Sequence, residues 1–92
     1  MRKPQILWVD DEIDVLRAHI IFLKEKDYEV DTANNGHDAI EKVKEKFFDI
    51  IFLDENMPGM SGLETLNQIK DVSPNVPVVM MSKSEEENSM HE

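Results

Sequence analysis

Ninety-two residues make one small domain, with 20 acidic side chains against 10 basic and a formal net charge of −10. That balance argues against nucleic-acid backbone or anionic membrane as the main partner and favours cations and basic surfaces. The lack of cysteine excludes disulfides and thiolate metal sites, and so short a chain buries only roughly 60–65% of its unfolded surface, leaving a thin core.

The amino terminus, Met1-Arg2-Lys3-Pro4-Gln5, is basic, but the apolar run behind it, Ile6-Leu7-Trp8-Val9, is too short for a signal segment or a membrane span. A soluble, cytoplasmic protein is expected. Ile6 to Val9 reads as a strand buried on both faces, and Asp10-Asp11-Glu12 follows without a spacer. From Glu12 to Lys26, Ile13, Leu16, Ile20 and Leu23 recur at helical spacing, with Val15 and Phe22 widening the apolar stripe. Asp10 or Asp11 is expected to cap this helix.

Tyr28, Val30 and Thr32 alternate with Glu29, Asp31 and Ala33, which places a half-exposed strand at a sheet edge. Asn34-Asn35-Gly36 signals a turn, and the next helix is expected to carry Ile40, Val43 and Phe47 inward. Ile50-Ile51-Phe52-Leu53 is a second unbroken β-branched and aromatic run, closed by Asp54. After Pro58, Gly59 and Gly62, a third helix runs to about Val72 with Leu63, Leu66 and Ile69 inward. Val76 to Met81 reads as a fourth strand with Pro77 near its start, ending at Ser82. Ser84 with Glu87 then forms a capping-box pattern that opens another helix. The alternation β-α-β-α-β-α-β predicts an α/β fold with a doubly wound parallel sheet.

In such a sheet the strands ending in Asp10-Asp11, Asp54 and Ser82 finish on one edge, where open α/β sheets bind their ligands. Taken singly, Asp54 reads as a turn residue, Asp10 and Asp11 as helix caps, and Ser82 as the start of a turn. Their joint placement calls for a cation. Carboxylates about 4 Å apart repel by roughly 4 kcal/mol at an effective dielectric of 20. Mg²⁺ suits the oxygen donors and leaves a position for a phosphate oxygen, so that Asp54 could attack phosphorus and Ser82 could donate a hydrogen bond to the transferred group. His19, His37 and His91 share no metal-ligand spacing and read as surface residues, and Trp8, Met57, Met60, Met80 and Met81 read as packing.

Val9-Asp10-Asp11-Glu12, Leu53-Asp54-Glu55-Asn56-Met57-Pro58-Gly59-Met60-Ser61-Gly62 and Pro77-Val78-Val79-Met80-Met81-Ser82 together resemble the receiver domain of two-component response regulators, over essentially the whole chain. The resemblance implies a flavodoxin-like, CheY-like fold with strand order 2-1-3-4. It implies Asp54 as phosphoacceptor, Asp10, Asp11, Asp54 and the Asn56 main-chain carbonyl as Mg²⁺ ligands, and Ser82 as the hydroxyl that meets the phosphoryl group. It also implies a sensor histidine kinase as partner and no enzymatic activity beyond self-catalysed aspartyl phosphorylation and dephosphorylation. Trp8-Val9-Asp10-Asp11-Glu12, Asp54-Glu55-Asn56 and Ser82-Lys83-Ser84-Glu85-Glu86-Glu87 look most like PorX-type regulators, whose receiver precedes an alkaline-phosphatase-like effector and which are linked to type IX secretion.

Receivers normally continue through a fifth strand ending in Lys-Pro and a fifth helix, and nothing here matches these. Residues 1–92 are therefore expected to be a receiver domain lacking its carboxyl-terminal part, with Val76 to Met81 as an apolar edge open to homodimerisation or exchange of an element. The rival reading is a receiver-like interaction fragment that binds a partner and cannot switch. A hydrolase of the phosphatase type fits less well, since such sheets usually carry Asp-x-Asp after the first strand and this chain has Asp10-Asp11.

Overall fold

The unbroken apolar runs of residues 6–9 and 50–53 form the middle of a sheet. A computed structural model describes residues 2–82 and contains β1 (Gln5–Val9), a 3₁₀ turn (Ile13–Leu16), α1 (Arg17–Glu25), β2 (Glu29–Ala33), α2 (Gly36–Glu45), β3 (Ile50–Asp54), α3 (Gly62–Val72) and β4 (Val78–Met81). The four strands are parallel in the order β2-β1-β3-β4. This is the doubly wound arrangement expected, with β2 at one edge and β4 at the other. The helix start expected at Ser84 and the surface position expected for His91 lie outside the described residues.

The two faces of the sheet are covered unequally. Leu7, Val9, Ile51 and Leu53 are fully buried in one cluster with Ala39, Ile40 and Val43 of α2 and Ile69 of α3. On the other face, Ile6, Trp8, Ile50 and Phe52 meet Ala18, Phe22 and Leu23 of α1 around an apolar groove of about 570 Å³. The rings of Trp8 and Phe52 lie 5.2 Å apart there, tilted by 38°. No residue of α1 is buried, so this helix is held less firmly than its two counterparts.

Several expected inward positions are corrected. The stretch from Glu12 does not begin as an α-helix, because the Asp10 carboxylate accepts the Glu12 N–H at 2.8 Å and the Val15 N–H then turns back to the Glu12 carbonyl at 3.0 Å. That three-residue closure makes the 3₁₀ turn and leaves Val15 outside, and Phe22 is also exposed. Asp10 thus orders the chain after β1 as an aspartate turn, and the residues at the starts of the two helical segments are Glu12 and Leu16 in place of the expected Asp10 or Asp11. Helix α2 ends at Glu45, so Phe47 lies beyond the helical register, 63% exposed, while Phe48 fills the core. On α3 the buried positions are Gly62, Thr65 and Ile69, with Leu63 61% exposed. The chain enters β4 at Val78, because Val76 packs from the preceding loop, where its carbonyl accepts from Lys70 Nζ. His19 and His37 are exposed as expected.

Candidate metal and phosphoryl-acceptor site

Parallel register brings the acidic residues level. Val9 pairs with Leu53, so Asp10 and Asp54 follow as neighbours at the carboxyl ends of β1 and β3. The Asp10 N–H continues the ladder to the Ala33 carbonyl at 3.0 Å, which fixes its backbone against β2. On the other side Asp54 pairs with Met81, and the Glu55 N–H reaches the Met81 carbonyl at 2.8 Å. Ser82 therefore leaves β4 one residue beyond the level of Asp54, half-buried on the adjacent strand.

Asp10 and Asp54 are 1% and 2% exposed, and Asp11 is open to solvent. One carboxylate oxygen from each of the three lies within 4.8 Å of the others. Backbone donors orient two of these side chains: Glu12 N–H meets Asp10 Oδ1 at 2.8 Å and Asn56 N–H meets Asp54 Oδ1 at 3.2 Å. Asn56 is itself exposed. The structure thus gathers Asp10, Asp11 and Asp54, places Asn56 against Asp54 through its amide, and sets Ser82 beside them by register.

The loop leaving Asp54 is pinned at several points. Met57 is buried, Gly59 turns with φ +79°, and Ser61 caps α3. Its hydroxyl accepts the Glu64 N–H at 3.2 Å while the Glu64 carboxylate accepts the Ser61 N–H at 3.1 Å, a reciprocal capping box. Gly62 opens α3 and is buried. The structure gives it a steric role, for a Cβ there would stand 2.6 Å from the Asp54 carbonyl oxygen.

Three hard oxygen donors, two of them buried, suit a divalent cation of the Mg²⁺ or Ca²⁺ type, and the exposure of Asp11 leaves a way in from solvent. Fold and site together define an α/β module with an acidic pocket at the carboxyl ends of its two central strands.

The chain belongs to the response regulator receiver domain family, whose sequence profile matches residues 6–92. It is 44% identical over 80 residues to the transcriptional regulatory protein ZraR of Klebsiella oxytoca, covering 87% of this chain and 18% of that relative. Among solved structures, it is similar to the response regulator TrrA of Thermotoga maritima in complex with Mg²⁺ and BeF, at TM-score 0.80 and 34% identity, covering 94% of this chain and 75% of that one. It is also similar to a chain in the complex of the histidine kinase ThkA with TrrA, at TM-score 0.78 and 35% identity, covering 87% and 69%. The protein is thus a receiver domain of the two-component response regulator type, and among its described residues no helix is long and apolar enough to cross a membrane.

Proposed function

We propose that Asp54 accepts a phosphoryl group from a sensor histidine kinase, with Mg²⁺ held by Asp10, Asp11, Asp54 and the main-chain carbonyl of Asn56. The observation that carries this is the gathering of three carboxylates within 4.8 Å at the ends of β1 and β3. A carboxylate oxygen of Asp54 attacks phosphorus, the bond from phosphorus to the donor imidazole nitrogen breaks, and the imidazole leaves with its electron pair and takes up a proton. When bound, Mg²⁺ supplies positive charge that lets an anionic phosphoryl group approach an anionic nucleophile. The Asn56 N–H orients the Asp54 carboxylate, and the Ser82 hydroxyl donates to a phosphoryl oxygen. Hydrolysis runs at the same site, with water attacking phosphorus and Asp54 leaving, so the only chemistry is that of the module on itself.

Phosphorylation would shift a conformational equilibrium read by an effector. The chain spans about a fifth of the length of ZraR, so the effector is sought in a longer polypeptide or a separate protein, an alkaline-phosphatase-like domain being the candidate from the PorX resemblance. Strand β4, with Val79 exposed at the sheet edge, is the surface along which two copies would pair, and a second-copy contact would appear as a concentration-dependent sedimentation coefficient.

Incubating the chain with a small phosphodonor and Mg²⁺, then measuring intact mass, should show one added phosphoryl group that is lost in Asp54→Asn. No addition to the unsubstituted chain would reject the proposal. Mg²⁺ binding without phosphoryl addition would instead favour the rival, a receiver-like interaction module that does not switch.

A further inference from the structure

The eight residues from Glu55 to Gly62 form a closed loop, since the Gly62 N–H donates back to the Glu55 carbonyl at 3.2 Å. The three glycines of the chain differ in what surrounds them. A Cβ at Gly59 would face open space, and the three atoms nearest a Cβ at Gly36 belong to side chains. At Gly62 the three atoms nearest a Cβ would all be backbone: the Asp54 carbonyl oxygen at 2.6 Å, Glu55 Cα at 2.7 Å and the Glu55 carbonyl oxygen at 2.9 Å. No rotamer change relieves such a clash, so α3 and the end of β3 would have to separate.

Helix α3 has little freedom to move. Thr65 and Ile69 are fully buried, and Thr65 stands against Gly36 of α2. Strand β3 is fixed by pairing on both sides. The displacement therefore passes into Glu55 and Asn56, the segment that carries the amide oriented on Asp54 Oδ1. We infer that Gly62 is a positioning residue of the acidic pocket: its missing side chain lets α3 seat against β3 and so sets where the Asn56 peptide and the Asp54 carboxylate stand relative to Asp10. This rests on the reading that Asp10, Asp11 and Asp54 hold Mg²⁺.

The test compares Gly62→Ala with Ile69→Val, which weakens the same helix about two turns away from the loop. Mg²⁺ affinity is read by calorimetry and metal-free stability by urea unfolding in a chelator. Gly62→Ala is expected to bind Mg²⁺ about tenfold more weakly, the usual size of a lost outer-sphere constraint. Ile69→Val is expected to lose stability while keeping its Mg²⁺ affinity. An affinity for Gly62→Ala that matches the unsubstituted chain overturns the inference and leaves the metal reading standing. Absence of Mg²⁺ binding by the unsubstituted chain overturns both. Should Gly62→Ala fail to fold, hydrogen exchange at the Gly62 amide in the unsubstituted chain decides: slowing on addition of Mg²⁺ supports the coupling, and an unchanged rate overturns it.

Discussion

Gly36, the first residue of α2, and Thr65, in the first turn of α3, are packed so closely that a Cβ on the glycine would stand 2.3 Å from Thr65 Oγ1. The threonine cannot swing away freely, because it is fully buried and its hydroxyl donates to the Ser61 carbonyl at 2.8 Å. Gly36→Ala is therefore expected to destabilise the domain by about 1–3 kcal/mol, the usual cost of an added methyl in a filled core. Urea unfolding should show a lower midpoint at unchanged slope. Combining it with Thr65→Ala should cost less than the sum of the two single changes, since the smaller side chain opens the space that the new methyl needs.

The amino terminus is tied to the start of β3 by an ion pair with a predictable pH dependence. Arg2 donates from Nη1 to Asp49 Oδ2 at 3.2 Å and from Nη2 to Oδ1 at 3.1 Å, and the Gln5 N–H reaches Oδ2 at 2.6 Å. The Arg2 hydrogen bonds first, and the Gln5 amide second, hold the Asp49 carboxyl below its ordinary value of 3.8. A carboxyl whose folded value is lowered contributes stability that is fully present above its unfolded value and lost as pH falls through the folded one. Stability measured by urea unfolding should thus decline below about pH 4, and Asp49→Asn should flatten that part of the profile while leaving the slope at neutral pH unchanged.

Much of this architecture was legible because β1, β3 and β4 carry unbroken apolar runs and each is followed by a polar residue with chemistry to do. That pattern gave strand identity, the common edge and the candidate residues Asp10, Asp11, Asp54 and Ser82. Apolar character alone does not set a side chain's direction. Leu63 and Phe47 point outward because α3 presents Gly62, Thr65 and Ile69 to the core and α2 stops at Glu45. A buried threonine satisfied by its own helix carbonyl leaves no apolar period to detect. The 3₁₀ turn after β1 was hidden for another reason: it depends on the Asp10 carboxylate capturing the Glu12 amide, a contact of site geometry and not of periodicity. Asn35 reads as a turn residue in sequence, yet in the fold its side chain accepts the Asp38 N–H at 2.8 Å and caps α2.

Helix α1 ends on a residue poorly suited to its backbone. The Tyr28 N–H returns to the Leu23 carbonyl and the Asp27 N–H to the Lys24 carbonyl, both at 3.1 Å, the pair of bonds that closes a helix through a left-handed residue. That residue is Asp27, with φ +70°. Glycine adopts this conformation without the steric cost that a Cβ carries, partly offset by its greater freedom when unfolded. Asp27→Gly is expected to stabilise the domain by about 0.5–1 kcal/mol, and Asp27→Val to destabilise it by about 1–2 kcal/mol. Thermal unfolding followed by circular dichroism distinguishes the two directions.

The acidic pocket should oppose folding when no cation is present. With oxygens of Asp10, Asp11 and Asp54 within 4.8 Å, each like-charged pair costs roughly 3 kcal/mol at an effective dielectric of 20, less where Asp11 is screened by solvent. Asp10→Asn removes one charge and retains an oxygen able to accept the Glu12 N–H. In a chelator this variant is expected to be more stable than the unsubstituted chain by about 1–3 kcal/mol. Mg²⁺ at a hundred times its dissociation constant should raise the unsubstituted chain by about 2.7 kcal/mol through mass action, and should do little for Asp10→Asn. Urea unfolding of both proteins, each with Mg²⁺ and with chelator, gives the four stabilities required. If the variant keeps the full Mg²⁺ increment, Asp10 is not a ligand and the cation lies elsewhere on the rim.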